Sequence, residues 1–118
     1  MFGVKEIDSV ALADILENAP DSIRLVDVRS PAEMAQGVLP GSEAMPLHLV
    51  PLRAAELLES SKPVVFYCRS GVRSAQACAF LGSQGGDPER LINLRGGIMD
   101  WVRQGNQVVI PESPVMAG

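Results

Sequence analysis

The stretch Cys68-Arg69-Ser70-Gly71-Val72-Arg73-Ser74 puts a nucleophile, two guanidinium groups, two hydroxyls and a glycine side by side. A cysteine that ends an apolar run is ordinarily an inert small hydrophobe. Its neighbours argue otherwise here, because so polar a segment makes poor core and a good cradle for an anion. The reactive form of cysteine is the thiolate, and nearby positive charge or N–H donors lower its pKa. Arg69 and Arg73 supply charge. Gly71 lets the chain curl so that the amides of residues 69–73 turn toward one anion. Ser70 and Ser74 supply hydroxyl donors, and Ser74 is also a candidate cap for a following helix. Cys68 is therefore the candidate nucleophile, with Arg69, Ser70, Gly71, Val72 and Arg73 as the candidate binding loop. Covalent catalysis by a low-pKa cysteine needs no metal and no separate cofactor, and none is expected.

Such a loop works only if rigid elements present it. PVVFYC (63–68) is apolar throughout, as a central parallel strand buried on both faces should be. AQACAFLGSQG (75–85) reads as a helix stopped by Gly85-Gly86. Cys68 thus falls where a strand feeds a helix, and the first helical amides, with the helix dipole, favour an anion there. The rest of the chain alternates in the same way. VKEI (4–7) reads as an edge strand, and Ser9 as the cap of a helix with Val10, Leu12, Ala13 and Leu16 on its apolar side, ended near Pro20. IRLVDV (23–28) is a strand. Ser30-Pro31-Ala32-Glu33 is a capping box with proline in the first helical position, and Gly37 stops that short helix. Leu39-Pro40-Gly41 is a turn, SEAMPL (42–47) a short strand, and 48–59 helical with Pro51 in its first turn. RLINLRG (90–96) is a fifth strand and GIMDWVRQG (97–105) a last short helix. Strands that alternate with helices imply an α/β, three-layer fold: a central parallel sheet of about five strands with helices on both faces. Ligands in such sheets sit beyond the carboxyl ends of the strands, which is where Cys68 lies. The chain divides into one domain over 1–108 and a tail over 109–118.

With 118 residues, 47% of them hydrophobic, the chain suits one compact domain with a real core. A net charge of −4 with no long run of one sign offers no footprint for nucleic acid or an anionic membrane surface. No apolar run approaches the roughly 20 residues that span a bilayer. MFGVKEIDSV lacks the basic stretch and apolar core of a secretory signal, so a cytoplasmic location is expected. There Cys68 and Cys78 are free thiols rather than a pair. His48 is the single histidine and no CxxC occurs, so no metal pattern exists. Cys78 reads as core, His48 as a capping or surface residue, and Trp101 as a core or rim aromatic. Met34, Met45 and Met99 suit gap filling in the core. Asp27 and Arg29 read as an ion pair that supports the loop together with Ser74, and Glu56 and Glu59 as a solvated helix face.

LVDVRSPAEMAQGVLPGS, VVFYCRSGVRSAQACAFL and INLRGGIMDWV together resemble the rhodanese family, with the landmarks in family order over roughly residues 5–105. Asp27-Val28-Arg29 with Glu33 resembles its first motif, Gly37 through Gly41 its turn, Cys68 to Arg73 its active-site loop, and Arg95-Gly96-Gly97 with Trp101 its closing motif. The resemblance implies a single-domain sulfurtransferase. The Cys68 thiolate would attack the outer sulfur of thiosulfate or a similar donor, releasing sulfite. The resulting persulfide would pass sulfur to cyanide, a dithiol or a protein thiol. The amides of 69–73 would cradle the terminal sulfur, and Arg69 and Arg73 would hold the donor's anionic end. Two departures from the family stand out: Val38 occupies a position where histidine is frequent, and Ile98 one where a further aromatic is frequent.

Two other readings compete. Some cysteine-dependent phosphatases and arsenate reductases carry a loop of the form Cys-x5-Arg. Here Arg73 comes one place too early, Ser74 holds the sixth place, and Tyr67 stands where histidine often precedes the cysteine. The shorter loop suits one sulfur atom better than a phosphoryl group. The second alternative is a non-catalytic relay module that docks on a partner, against which the intact loop argues. The expected partners are a small-molecule sulfur donor and acceptor or a protein thiol, with no nucleic acid and no membrane, for a monomer or weak homodimer.

Overall fold

The computed structural model describes residues 3–111, so Met1, Phe2 and positions 112–118 of the expected tail lie outside the described residues. Five parallel strands form one sheet: β1 (Lys5–Ile7), β2 (Arg24–Asp27), β3 (Glu43–Ala44), β4 (Val64–Tyr67) and β5 (Leu91–Leu94), in the spatial order β1-β5-β4-β2-β3. Every residue of β4 is buried because its residues alternate between two cores. Val64, Phe66 and then Cys68 face one cluster, with Leu57, Ala77, Cys78 and Leu81. Val65 and Tyr67 face the other, with Leu12, Leu25, Leu94 and Trp101. A two-residue period thus aims the Cys68 side chain at the same face as Ala77, Cys78 and Leu81.

The helices are α1 (Ser9–Asn18), α2 (Pro31–Met34), α3 (Ala54–Leu58), α4 (Val72–Ser83) and α5 (Gly97–Arg103). Leu12 and Trp101 place α1 and α5 on one face of the sheet, while Leu57 and Leu81 place α3 and α4 on the other. The three-layer architecture expected from the alternating pattern is present. Among the described residues no helix is long and apolar enough to cross a membrane.

Several local expectations change. Asp8, not Ser9, caps α1: its Oδ1 accepts from the Ala11 amide at 2.8 Å. Ser9 is buried and its Oγ donates to Asp100 Oδ2 at 3.1 Å. The inward stripe of α1 is therefore 9-12-13-16, the helical spacing, and Val10 falls off it to stand 66% exposed. The 48–59 segment is not one helix but two 3-10 turns, Leu47–Leu49 and Pro51–Arg53, followed by α3. Pro51 lacks the amide that a continuous helix would use there. Helix α4 begins at Val72 instead of 75, because Gly71 at φ +109° turns the loop directly into it, so Ser74 does not cap. The capping box at Ser30 and Glu33 is formed as read, with both reciprocal bonds. Val109, at the start of the expected tail, pairs antiparallel with Val38 through two 2.8 Å backbone bonds.

The strand order reverses between β2 and β4. The chain steps outward from β2 to β3 on one side, then from β4 through β5 toward β1 on the other. A crevice opens at such a switch point, beyond the strands' carboxyl ends. The segments leaving β2 and β4 carry Arg29 to Glu33 and Cys68 to Arg73 respectively.

Candidate active site

Cys68 leaves the end of the central strand, 1% exposed, and its sulfur is met by donors of the loop that follows. The Gly71 amide donates to Sγ at 3.1 Å and the Ser74 hydroxyl lies 3.4 Å away. Burial alone would raise the thiol pKa. The Ser74 hydroxyl and the amides of Ser74, Gly71 and Ser70 outweigh it and hold the group below its ordinary value. Cys78 has no comparable donors, and burial pushes its thiol up to about 12. Of the two free cysteines, Cys68 alone is biased toward thiolate.

The amides can face inward because the carbonyls are held outward. The Cys68 carbonyl accepts from the Ile98 amide at 2.9 Å and the Arg69 carbonyl from the Met99 amide at 3.1 Å. The unpaired first-turn amides of α5 thus become the partners of the loop. This approach requires glycine at 97: a Cβ there would stand 2.6 Å from the Cys68 carbonyl oxygen and collide with the Arg69 carbonyl, and φ is +59°. The Gly71 carbonyl is held by Asn93 Nδ2 at 3.2 Å and by the Ala75 amide at 3.2 Å.

The arginines have separate environments. Arg73 forms a fork-to-fork pair with Glu33, at 2.7 and 2.8 Å. Glu33 is pre-aimed, since its Oε1 also accepts from the Ser30 amide and hydroxyl, each at 3.0 Å. The Arg73 guanidinium holds the Glu33 carboxyl down at about 2. Arg73 feels the Cys68 charge, but with Glu33 it forms a neutral unit. Arg69 is exposed and stands at the edge of a groove; among the described residues its side chain makes no hydrogen bond or ion pair. The groove, about 610 Å³, runs between α2 and α5 with Ile98, Met99, Val102 and Val108 among its apolar lining and Arg103 on its rim. Ser70 in the loop and Val72 at the start of α4 are exposed.

Asp27 and Arg29 form a buried ion pair, with Arg29 Nη2 2.7 Å from Asp27 Oδ2. Arg29 also donates to the Gly37 carbonyl at 2.7 Å, and lies 5.6 Å from the Tyr67 ring centre. The pair therefore fixes the Gly37 turn, one wall of the groove. Met99 is 39% exposed at this groove instead of filling the core, whereas Met34 and Met45 are buried. His48 is exposed in a 3-10 turn. Glu56 is exposed but not merely solvated, since it binds Arg24 and Arg53 at 2.9 and 2.8 Å. Trp101 is core, its Nε1 donating to the Gln107 carbonyl at 2.9 Å. Among the described residues no cluster of histidine, cysteine, aspartate or glutamate could hold a metal ion.

A cysteine held by loop amides just beyond the end of the central strand of a three-layer parallel sheet defines the class of α/β protein to which this chain is compared. The family model for the rhodanese-like domain matches residues 10–104. A sulfurtransferase of Allochromatium vinosum is 50% identical over 109 residues, covering 92% of this chain and 98% of the relative. The putative sulfurtransferase YtwF of Bacillus subtilis is 37% identical over 98 residues, covering 83% and 90% respectively. The crystal structure of a rhodanese-related protein from Thermoplasma volcanium superposes with a TM-score of 0.77 at 27% identity, covering 91% of this chain and 99% of that one. The chain belongs to the rhodanese-like domain family.

Proposed function

We propose that this chain transfers sulfane sulfur through a persulfide on Cys68. The thiolate attacks the outer sulfur of thiosulfate, the S–S bond of the donor breaks, and sulfite leaves with the bonding electron pair. An acceptor thiolate then attacks the outer sulfur of the Cys68 persulfide and returns Cys68 as thiolate. Charge and sulfur balance in both steps, and no redox partner enters. One observation carries this reading: of the two cysteines, only Cys68 has its thiol pKa lowered, by the donors of its own loop, and the next residue, Arg69, lines the groove between α2 and α5. The same donors suit the terminal sulfur of a persulfide, which is also an anion.

Arg73 separates this reading from a phosphatase. A phosphoryl group needs a guanidinium facing it, and here Arg73 is bound by both Nη atoms to Glu33. The groove bears on the acceptor. Its apolar lining, with Arg69 and Arg103 at the rim, favours a thiol that carries an apolar stem and an anionic group over cyanide.

Mass spectrometry after exposure to thiosulfate tests the proposal. The Cys68 peptide should gain one sulfur and sulfite should appear in equal amount. Cys68→Ser should abolish both, and Cys78→Ser should keep most of the transfer. Hydrolysis of aryl phosphates by the parent, lost in Cys68→Ser and without sulfur uptake, would reverse the assignment.

A further inference from the structure

Asn93 is a polar residue in the middle of β5, a strand otherwise composed of leucine and isoleucine, and it is 1% exposed. A buried amide in such a place costs stability unless all its groups are bonded. Its Nδ2 donates to the Gly71 carbonyl at 3.2 Å and to Glu6 Oε2 at 3.1 Å. Its Oδ1 lies 2.5 Å from Ser74 Oγ. Ser74, wholly buried, is also 3.4 Å from the Cys68 sulfur. A serine hydroxyl has one proton. It cannot be given fully to the Asn93 carbonyl and fully to the sulfur at once.

We propose that Asn93 is a positioning residue for the nucleophile: it holds the Ser74 hydroxyl between its own carbonyl oxygen and the Cys68 sulfur, and so limits how much of that proton the thiolate receives. Both states of the sulfur follow from the geometry. With Cys68 as thiol, S–H donates to Ser74 Oγ and Ser74 donates to Asn93, so every group is satisfied. With Cys68 as thiolate, the Ser74 proton must swing toward sulfur, and the Asn93 oxygen loses its donor. Asn93 thereby favours the thiol relative to a site without it, and works against the loop amides. The benefit is reactivity, since a thiolate's intrinsic nucleophilicity falls as its pKa falls. The inference rests on Cys68 as the sulfur carrier only for this benefit.

The charged groups around the sulfur leave this device in control of the difference. Arg73 of α4 is neutralised by Glu33 of α2. Asp27, the last residue of β2, and Arg29 just beyond it neutralise one another. Arg69 is exposed in the loop itself. Glu6 of β1 accepts from Asn93 Nδ2 at 3.1 Å and lies 3.8 Å from the exposed Arg95 guanidinium. The Gly71 carbonyl keeps the Ala75 amide when Asn93 is replaced, so the loop retains its curl.

The test is the pH dependence of Cys68 alkylation by iodoacetamide, a neutral probe, in the full chain. Trypsin cleaves after Arg69 and Arg73, so the Cys68 and Cys78 peptides are read separately. Asn93→Leu removes the rival acceptor, and the midpoint should fall by about one unit. The high-pH plateau rate should fall about threefold, as expected for a weaker nucleophile. Asn93→Ala, a smaller change in case leucine disturbs the fold, should shift the midpoint the same way. Ser74→Ala should raise the midpoint, and in that background neither Asn93 substitution should lower it. An unchanged or raised midpoint in Asn93→Leu and Asn93→Ala overturns the proposal, as does an equal fall with and without Ser74. Alkylation proceeds whether or not thiosulfate is turned over. Its outcome is therefore independent of the persulfide measurement that tests the functional reading.

Discussion

At the scale of single residues, Cys68 and Cys78 share one apolar cluster and diverge because only one of them meets donors. The arginines diverge for a parallel reason: Arg73 has a counterion and Arg69 has none among the described residues. Reading the loop from its composition alone assigns both charges to the sulfur and the donor. The structure instead puts amides and a hydroxyl on the sulfur. Arg69→Ala should therefore raise the KM for thiosulfate about fivefold, the equivalent of ~1 kcal/mol for an exposed charge, with little change in the alkylation midpoint. Raising salt should weaken binding in the parent and have less effect in the variant. Arg73→Ala should leave that KM nearly unchanged and lower the urea midpoint. A larger KM effect from Arg73 than from Arg69 would return Arg73 to the donor site.

At the scale of elements, the site is a junction of four: β4 delivers Cys68, α4 and its Gly71 cap supply amides, α5 holds the loop carbonyls, and α2 holds Arg73. Gly97→Ala tests the hold of α5. The added methyl meets the carbonyls of Cys68 and Arg69 and strains a positive φ, so the loop or α5 must shift. Sulfur uptake at Cys68 should drop at least tenfold, and the alkylation midpoint should move up toward free cysteine; unchanged values in both would show that the amides hold their direction without α5. Much of this junction was legible beforehand. The apolar run of β4, the Ser30 capping box and the polar loop each have local causes. Glu33 is legible as a helix cap and as part of the first motif, but not as the partner of Arg73, because a contact forty positions away leaves no local mark. Asn93 did leave one, a polar residue inside an apolar strand, but its partners on β1 and α4 are set only by strand order. The break at Pro51 and the early start of α4 at Gly71 turn on backbone geometry at single residues, where pattern reading is weakest.

At the scale of the whole molecule, two groups bound the pH range of stability from opposite sides. Glu33 titrates near 2 in the fold against an ordinary 4.5, so its contribution is present above 4.5 and lost as pH falls toward 2. Cys78 titrates near 12 against an ordinary 9.0, so its preference for the neutral form is intact below 9 and lost as pH rises toward 12. Urea midpoints measured from pH 2.5 to 11 should form a plateau with a falling limb on each side. Glu33→Gln should flatten the acid limb by ~1 kcal/mol, discounted for its partial exposure, and Cys78→Ala should flatten the alkaline limb. An acid limb unaltered by Glu33→Gln would show that the pair with Arg73 contributes nothing. The grip of α5 on the loop also has a consequence during synthesis. A ribosome makes the segment around Cys68 well before residues 97–99, and until those follow, the Cys68 and Arg69 carbonyls lack their partners. The hold on the loop carbonyls is thus complete only once α5 has been translated and has packed against the sheet.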